Sequence, residues 1–208
     1  MSPVRDPAPF PILVCGEAAR GDDAAGFAVT ALLSPATLAA ARVERVGQLD
    51  VLFLLDLPAD VPCVVVDAVN GLTPGEIWVR PLSDLVDRAR ALDASGRRPE
   101  PRSSHELPID AVLTLAATLR AAPPNGTFVG IGGAAFALGA GMSPAVEAAL
   151  PAFAAAIDQA VLALHPGRGR TPGSGAAPGR GGDAGAPADE EGLGTGPFFP
   201  DRCGPSIG

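Results

Sequence analysis

The chain has 208 residues and a formal net charge of −8 at pH 7. Nucleic acids and anionic membranes attract basic surfaces, so this acidic balance argues against both as partners. The N-terminal segment lacks the basic-then-apolar order of a signal peptide, and no uninterrupted run of about 18 apolar residues predicts a membrane-spanning helix. We therefore expect a cytoplasmic protein, and we treat it as a monomer.

The three cysteines give neither a disulfide framework nor the CxxC spacing of a zinc site. Cys15 and Cys63 lie inside apolar, strand-like runs. Because a free cysteine packs like a small apolar residue, both are predicted to be core residues.

The apolar periodicity ends near Leu164, which predicts one α/β domain over residues 1–164. From 165 to 208 the chain is rich in Gly, Pro, Ala, Arg and acids and shows no periodicity. Such a segment buries too little apolar surface to offset the entropy of ordering it, so we expect a disordered tail. Within it, residues 198–203 (FFPDRC) are interpreted either as a short docking motif or as part of that tail.

Five segments have the pattern of β-strands. Continuous apolar runs predict buried parallel strands, and alternating runs predict strands with one solvated face. The connection from the third to the fourth is too short for a crossover helix, so we expect the fourth strand to run antiparallel to the third. The predicted strands are residues 12–15, 42–47, 61–67, 76–80 and 127–132.

Helical periodicity and capping signals fill the segments between these strands. Ser103 and Glu106 have the spacing of a capping box, and Ser143 with Pro144 has the pattern of a helix start. The alternation of strands and helices predicts a doubly wound, mostly parallel α/β sheet with helices on both faces. The predicted helices are residues 25–33, 50–55, 81–92, 107–119 and 143–164.

In a doubly wound sheet, ligands bind outside the carboxyl ends of the strands, where the first strand lies beside the third. Asp22 and Asp23 follow the first strand, and Asp67 ends the third. One acid of the pair and Asp67 are therefore expected to flank the crevice. His105 belongs to a loop and helix start that can fold over the same edge. Two carboxylates and one imidazole suit zinc, nickel, iron or manganese with coordination positions left open.

Each of these residues also has an ordinary structural interpretation. Asp22 and Asp23 can cap a helix and interact with its dipole. Asp67 can form a turn, and His105 can be a solvated residue of a first helical turn. His165, at the start of the tail, is expected to have no role. The absence of a GxGxxG after a strand, of a P-loop and of a GxSxG elbow argues against the dinucleotide, nucleotide and serine-hydrolase classes.

Six short motifs occur in order along residues 10–164. They are DDAAG (22–26), VVDA (65–68), PG (74–75), SHEL (104–107), VGI (129–131) and GMSPAVE (141–147). Together they resemble the hydrogenase maturation endopeptidases. The tail lies outside the resemblance.

The resemblance implies a five-stranded α/β fold and an activity. Members of this family remove the C-terminal extension of a hydrogenase large-subunit precursor after nickel has been inserted. By resemblance, Asp23, Asp67 and His105 match the metal-contacting positions, which would make them the catalytic set. The nickel is then carried by the substrate protein, no organic cofactor is needed, and Asp22 is left to cap the helix.

The chain departs from the family pattern at two places. Residues 16–21 lack the usual Gly-x-Gly-Asn, and Gly47-Gln48 stands where an Asp-Gly is usual. Two other functions therefore stay open. One is a non-cleaving, metal-sensing assembly factor for the same precursor, and the other is an α/β small-molecule binder unrelated to metal.

Overall fold

The computed structural model describes residues 9–96 and 108–165, whose strands form a single five-stranded sheet. The strands are β1 (Phe10–Cys15), β2 (Ala41–Gly47), β3 (Cys63–Asn70), β4 (Ile77–Pro81) and β5 (Gly126–Gly133). Their order in the sheet is β2-β1-β3-β5-β4. β4 pairs antiparallel with β5, and the other pairs are parallel. The predicted doubly wound, mostly parallel sheet is confirmed.

Helices cover both faces of this sheet, as predicted. On one face, α1, α2 and α6 pack against side chains that include Ile12, Val64 and Ile131. On the other face, α3, α4 and α5 pack against Leu13 and Val65. The helices are α1 (Ala25–Val29), α2 (Pro35–Ala40), α3 (Val51–Asp56), α4 (Leu82–Ala94), α5 (Ile109–Arg120) and α6 (Pro144–Leu164), and α1 lies between 3-10 turns at Gly21–Ala24 and Thr30–Leu32.

The central strands are buried on both faces. Every residue of β1 is buried, and in β3 only Asn70 is exposed. Strands buried in this way read as continuous apolar runs, whereas the edge strand β2 alternates. The pattern of apolar and polar residues therefore distinguished the central strands from the edge strand β2 correctly.

The end of β3 and the place of β4 in the sheet both depend on β5. β3 continues past Asp67 to Asn70, since β5 pairs with it as far as Asn70↔Gly133. β4 runs opposite to β3, as predicted, but β5 lies between them. Both differences arise from a strand that follows much later in the chain.

The helix starts were predicted with mixed success. Asp50 caps α3 as expected, accepting a hydrogen bond from the Leu52 N–H at 2.8 Å. α5 begins at Ile109 after Pro108, and no side chain caps it. The helix thus starts two residues after the predicted start at 107. The predicted capping box does not begin this helix, and its residues Ser103 and Glu106 lie outside the described residues.

Ser34 and Pro35 do more than close the first helix. The Ser34 hydroxyl accepts a hydrogen bond from the Thr37 N–H at 3.2 Å and so caps α2, which was not predicted. Ser143 precedes α6 as expected, with Pro144 at its start, but its side chain makes no capping bond.

The two cysteines of the described residues are core residues, as predicted. Cys15 and Cys63 are buried and free. Burial raises the pKa of the Cys63 thiol to about 12.

α6 is a core helix that also has the dimensions of a membrane span. It has 21 residues with a mean hydropathy of 1.4, the one helix of residues 9–96 and 108–165 that is long and apolar enough. Val146, Phe153, Ile157 and Val161 are fully buried on one side of it and pack against the sheet. Of this apolar stretch, 33% is buried inside the fold.

Gly26 sets how closely α1 approaches β1. A Cβ at this position would lie 2.7 Å from the Cys15 carbonyl oxygen and 3.1 Å from Val14 Cγ1. We expect Gly26→Ala to lower the free energy of unfolding by about 1–3 kcal/mol, because the added methyl overpacks the contact. Gly141→Ala is the control, since nothing lies within 4 Å of its added Cβ. Urea denaturation of both variants tests this, and equal stabilities would contradict it.

Candidate functional site

β1 and β3 separate at the carboxyl edge of the sheet. Their parallel register runs from Ile12↔Val64 to Val14↔Val66 and ends there. β3 continues along β5, whereas β1 reaches Cys15 and turns at Gly16, whose N–H donates to the Gly47 carbonyl oxygen at 2.7 Å. Asp67 is thus the first residue of β3 beyond its pairing with β1. This is the position at which the sequence predicts a ligand crevice.

Asp67 is a buried carboxyl in surroundings that disfavour its charged form. Only 4% of the residue is exposed, and its Oδ1 accepts one hydrogen bond, from the Ala68 N–H at 2.9 Å. Burial, and then the negative charge of Asp23, raise the pKa of Asp67 well above its ordinary value, and the bond from Ala68 opposes them only in part. The arrangement favours a proton or a cation at this carboxyl.

Asp23 approaches the same crevice from the 3-10 turn that follows β1. Its Oδ2 accepts a hydrogen bond from the Glu17 N–H at 2.8 Å, which closes residues 17–23 into a compact loop. Gly16 lies against this loop with φ of 110°, and a Cβ there would be 2.1 Å from the Asp23 carbonyl oxygen. A residue with a side chain would therefore displace Asp23. Of the two acids after β1, Asp23 is the one whose charge raises the pKa of Asp67.

Asp22 has a different position, and its predicted role as a helix cap is wrong. No side chain caps the turn at Gly21–Ala24. The fully buried Asp22 carboxylate instead accepts N–H groups of the segment after β5: Ser143 at 2.6 Å to Oδ1, and Ala134 and Ala135 at 2.7 and 2.9 Å to Oδ2. Burial raises the pKa of Asp22, but these hydrogen bonds outweigh burial and lower it below the ordinary value.

Cys15 is a member of the crevice that the sequence interpretation did not include. It is a core residue, but burial and then the charges of Asp67 and Asp23 raise the pKa of its thiol well above the ordinary value. The thiol is therefore neutral and lies within electrostatic range of both acids. The sequence did contain a signal for this: Cys15 is the last residue of a strand, and the loop that follows contains acids.

Asp67 faces the side of the sheet that α5 covers. Side chains alternate along a strand, and Val65 and Val69, on either side of Asp67, pack in the core beneath α4 and α5. α5 precedes the parallel strand β5, so α5 ends at the amino edge of the sheet and begins at the carboxyl edge. The start of α5 and Asp67 therefore share one face and one edge.

Two histidines were considered from the sequence. His105 lies outside the described residues, a few positions before α5. His165 ends α6, whose first turn lies beside Asp22. A helix of 21 residues is about 30 Å long, so His165 is far from the crevice. Within residues 9–96 and 108–165, no three His, Cys, Asp or Glu side chains are grouped to hold a metal ion.

The crevice therefore holds two carboxylates that repel each other, one of them almost fully buried. Such a pair is stabilised by a shared proton or by a cation that both oxygens contact. Carboxylate oxygens with one further donor are suited to a divalent metal ion, and a carboxylate can also accept a proton from water.

Comparison with solved structures shows which fold this is. The structure is similar to a [NiFe] hydrogenase maturation protease HybD from Thermococcus kodakarensis, with a TM-score of 0.51 and 23% identity over 73% of this chain and 97% of that one. It is similar to the hydrogenase maturating endopeptidase HybD from E. coli, with a TM-score of 0.54 and 21% identity over 75% and 91%. It is also similar to a hydrogenase 3 maturation protease, with a TM-score of 0.51 and 20% identity over 73% and 91%.

At these identities the similarity establishes a shared fold. No protein-family model and no curated protein sequence matches the chain.

The opposite pKa shifts of the two buried aspartates predict opposite effects of removing their charges. The folded protein holds a proton on Asp67 more tightly than the unfolded chain does, so this carboxyl costs stability as pH rises above the unfolded value of about 3.9. We expect Asp67→Asn to raise the free energy of unfolding at pH 7 by on the order of 1 kcal/mol, with no gain below pH of about 4.

Asp22→Asn is the matched comparison. The lowered pKa of Asp22 means that its carboxylate stabilises the fold above the unfolded value and that this contribution is lost on acidification. We expect this variant to lose about 1–3 kcal/mol at pH 7 because buried N–H donors lose their acceptor. Thermal denaturation from pH 3 to 8 measures both variants. Equal signs at pH 7 would contradict the assignment of the two acids.

Proposed function

We propose that this protein is an endopeptidase that removes the C-terminal extension of a nickel-loaded hydrogenase large-subunit precursor. The observation that carries the proposal is the pair of carboxylates, Asp23 and Asp67, at the point where β1 and β3 separate. The fold shared with proteins named hydrogenase maturation proteases supports it, and so does the order of the sequence motifs.

His105 completes the proposed site. Its position in the sequence, just before α5, supports the assignment because α5 begins at the edge and on the face where Asp67 lies. Two carboxylates and one neutral imidazole leave coordination positions open, which a metal already held by the precursor requires. The nickel is thus part of the substrate, and no organic cofactor enters the proposal.

The described residues indicate how the site would act. Asp23 and Asp67 contact the nickel of the precursor, and this contact relieves the repulsion between them. The precursor is then bound with its C-terminal segment at the crevice, so a precursor without nickel loses its main attachment. Either carboxylate is able to take a proton from the attacking water as general base.

The proposal places the protein in the cytoplasm, as a monomer that acts on one protein substrate. Neither nucleic acid nor membrane takes part. The net charge of −8 is consistent with the exclusion of nucleic acid.

Cleavage of the precursor tests the function. The purified large-subunit precursor, with and without inserted nickel, is incubated with the protein, and its mass is followed. We expect a loss of mass at the C-terminus of the nickel-loaded form only. Asp23→Asn, Asp67→Asn and His105→Ala should each slow cleavage at least about 100-fold, since each removes a metal contact or a proton acceptor.

Asp158→Asn is the control variant. Asp158 lies on α6, where it accepts a hydrogen bond from the Ser34 N–H at 3.2 Å, and its loss should leave cleavage unchanged. Equal cleavage of both precursor forms would contradict nickel recognition. Stable co-elution without a change of mass would instead identify a non-cleaving assembly factor, and absence of any nickel-dependent association would favour a binder unrelated to metal.

A further inference from the structure

We infer that Asp22 is a positioning residue that fixes the carboxylate of Asp23 by locking two loops together. The loops are residues 16–24 after β1 and residues 134–143 between β5 and α6. The inference rests on the proposed function only for the role of Asp23 as a metal contact. The lock itself follows from the contacts between the loops.

The two loops meet along several backbone contacts besides the Asp22 carboxylate. The Asp22 N–H donates to the Ala135 carbonyl oxygen, and the Gly139 N–H donates to the Ala19 carbonyl oxygen, each at 2.7 Å. Gly21, with φ of 59°, lies so close that a Cβ there would be 2.3 Å from the Ala135 carbonyl oxygen. The loops therefore form one unit, with the buried Asp22 carboxylate at its centre.

Asp23 belongs to this unit. It follows Asp22 within one 3-10 turn, and its N–H donates to the Arg20 carbonyl oxygen at 3.1 Å. Its carboxylate is held on the other side by the Glu17 N–H. A shift of Asp22 out of its three hydrogen bonds would therefore carry Asp23 with it.

The same contacts exclude Asp22 as a metal contact. Both of its oxygens accept backbone N–H groups, and the residue has no exposed surface. A metal ion would have to displace these donors and leave them buried without an acceptor, which is costly. The two adjacent acids thus have different roles: Asp22 holds the two loops together, and Asp23 belongs to the crevice.

Asp22→Asn tests the lock. The amide keeps the shape of the side chain but places an NH2 group where backbone donors require an acceptor. We expect the affinity for Ni²⁺ alone, measured by calorimetry, to fall about 10–100-fold, as on loss of a partner that orients a metal ligand. We also expect faster hydrogen exchange of the Glu17 amide, which reports the position of the Asp23 carboxylate without metal.

Asp158→Asn is the matched control, because it neutralises another carboxylate that accepts a backbone N–H, on the same helix that Ser143 precedes. It should leave both measurements within about twofold of wild type. Asp22→Ser, which keeps a shorter acceptor, is measured in parallel in case Asp22→Asn does not fold. All measurements are made well below the melting temperature of the least stable variant.

Wild-type Ni²⁺ affinity together with a protected Glu17 amide in the Asp22 variants would overturn the inference. Equal losses in Asp158→Asn would also overturn it, since they would show a general effect of stability. Failure of the proposed function looks different. Wild type would then cleave the precursor equally with and without nickel, or not at all, while the Glu17 amide would still report whether Asp22 positions Asp23.

Discussion

The short parallel contact between β1 and β3 is the constraint on which the rest of the structure depends. It places two fully buried strands side by side for the register Ile12↔Val64 to Val14↔Val66 and then ends. Each buried aliphatic side chain of such strands contributes about 1.5–3 kcal/mol. The two apolar cores on either side of the sheet therefore offset the cost of one buried carboxyl at the point where the strands part.

The two faces of the sheet differ in their polar contacts at this edge. Toward α1 and α6, Asp22 is enclosed and every carboxylate oxygen accepts hydrogen bonds. Toward α3 and α5, Asp67 accepts a hydrogen bond from the Ala68 N–H and has a raised pKa, and its charge contributes to the raised pKa of Cys15. The first carboxylate links two loops, and the second is in surroundings that favour a proton or a cation. Asp22 and Asp23, adjacent residues of one turn, take part on different sides: Asp22 binds the segment after β5, and the charge of Asp23 acts on Asp67.

Much of this arrangement could be predicted from the sequence because it depends on residues that are close together in the chain. The buried strands were continuous apolar runs, Asp50 had the pattern of a cap, and the position of Asp67 followed from the end of an apolar run. The roles of Asp22 and Asp23 could not be assigned in this way. The donors that bind Asp22 lie 112 to 121 residues along the chain, and no local pattern reports them. For the same reason the end of β3 was missed, since a later strand sets it.

His105 marks another limit. A histidine near a helix start has no distinctive pattern, so its predicted place at the sheet edge and the resemblance of SHEL to a family motif were the signals for it, and the residue lies outside the described part of the chain. Cys15 was interpreted correctly as a core residue. Its closeness to two acids depends on the register of β1 against β3, which composition does not determine.

The loop after β1 has closely packed ends and exposed side chains between them. Gly16 and Gly21 have positive φ angles, and each faces backbone oxygens at distances that admit no side chain. Residues 17–20 between them are all exposed. Their backbone groups nevertheless hold the loop, since the Glu17 N–H binds Asp23 and the Ala19 and Arg20 carbonyl oxygens accept the N–H groups of Gly139 and Asp23. The departure from Gly-x-Gly-Asn therefore lies in a loop that holds its acids by backbone hydrogen bonds, which do not depend on the identity of the exposed side chains.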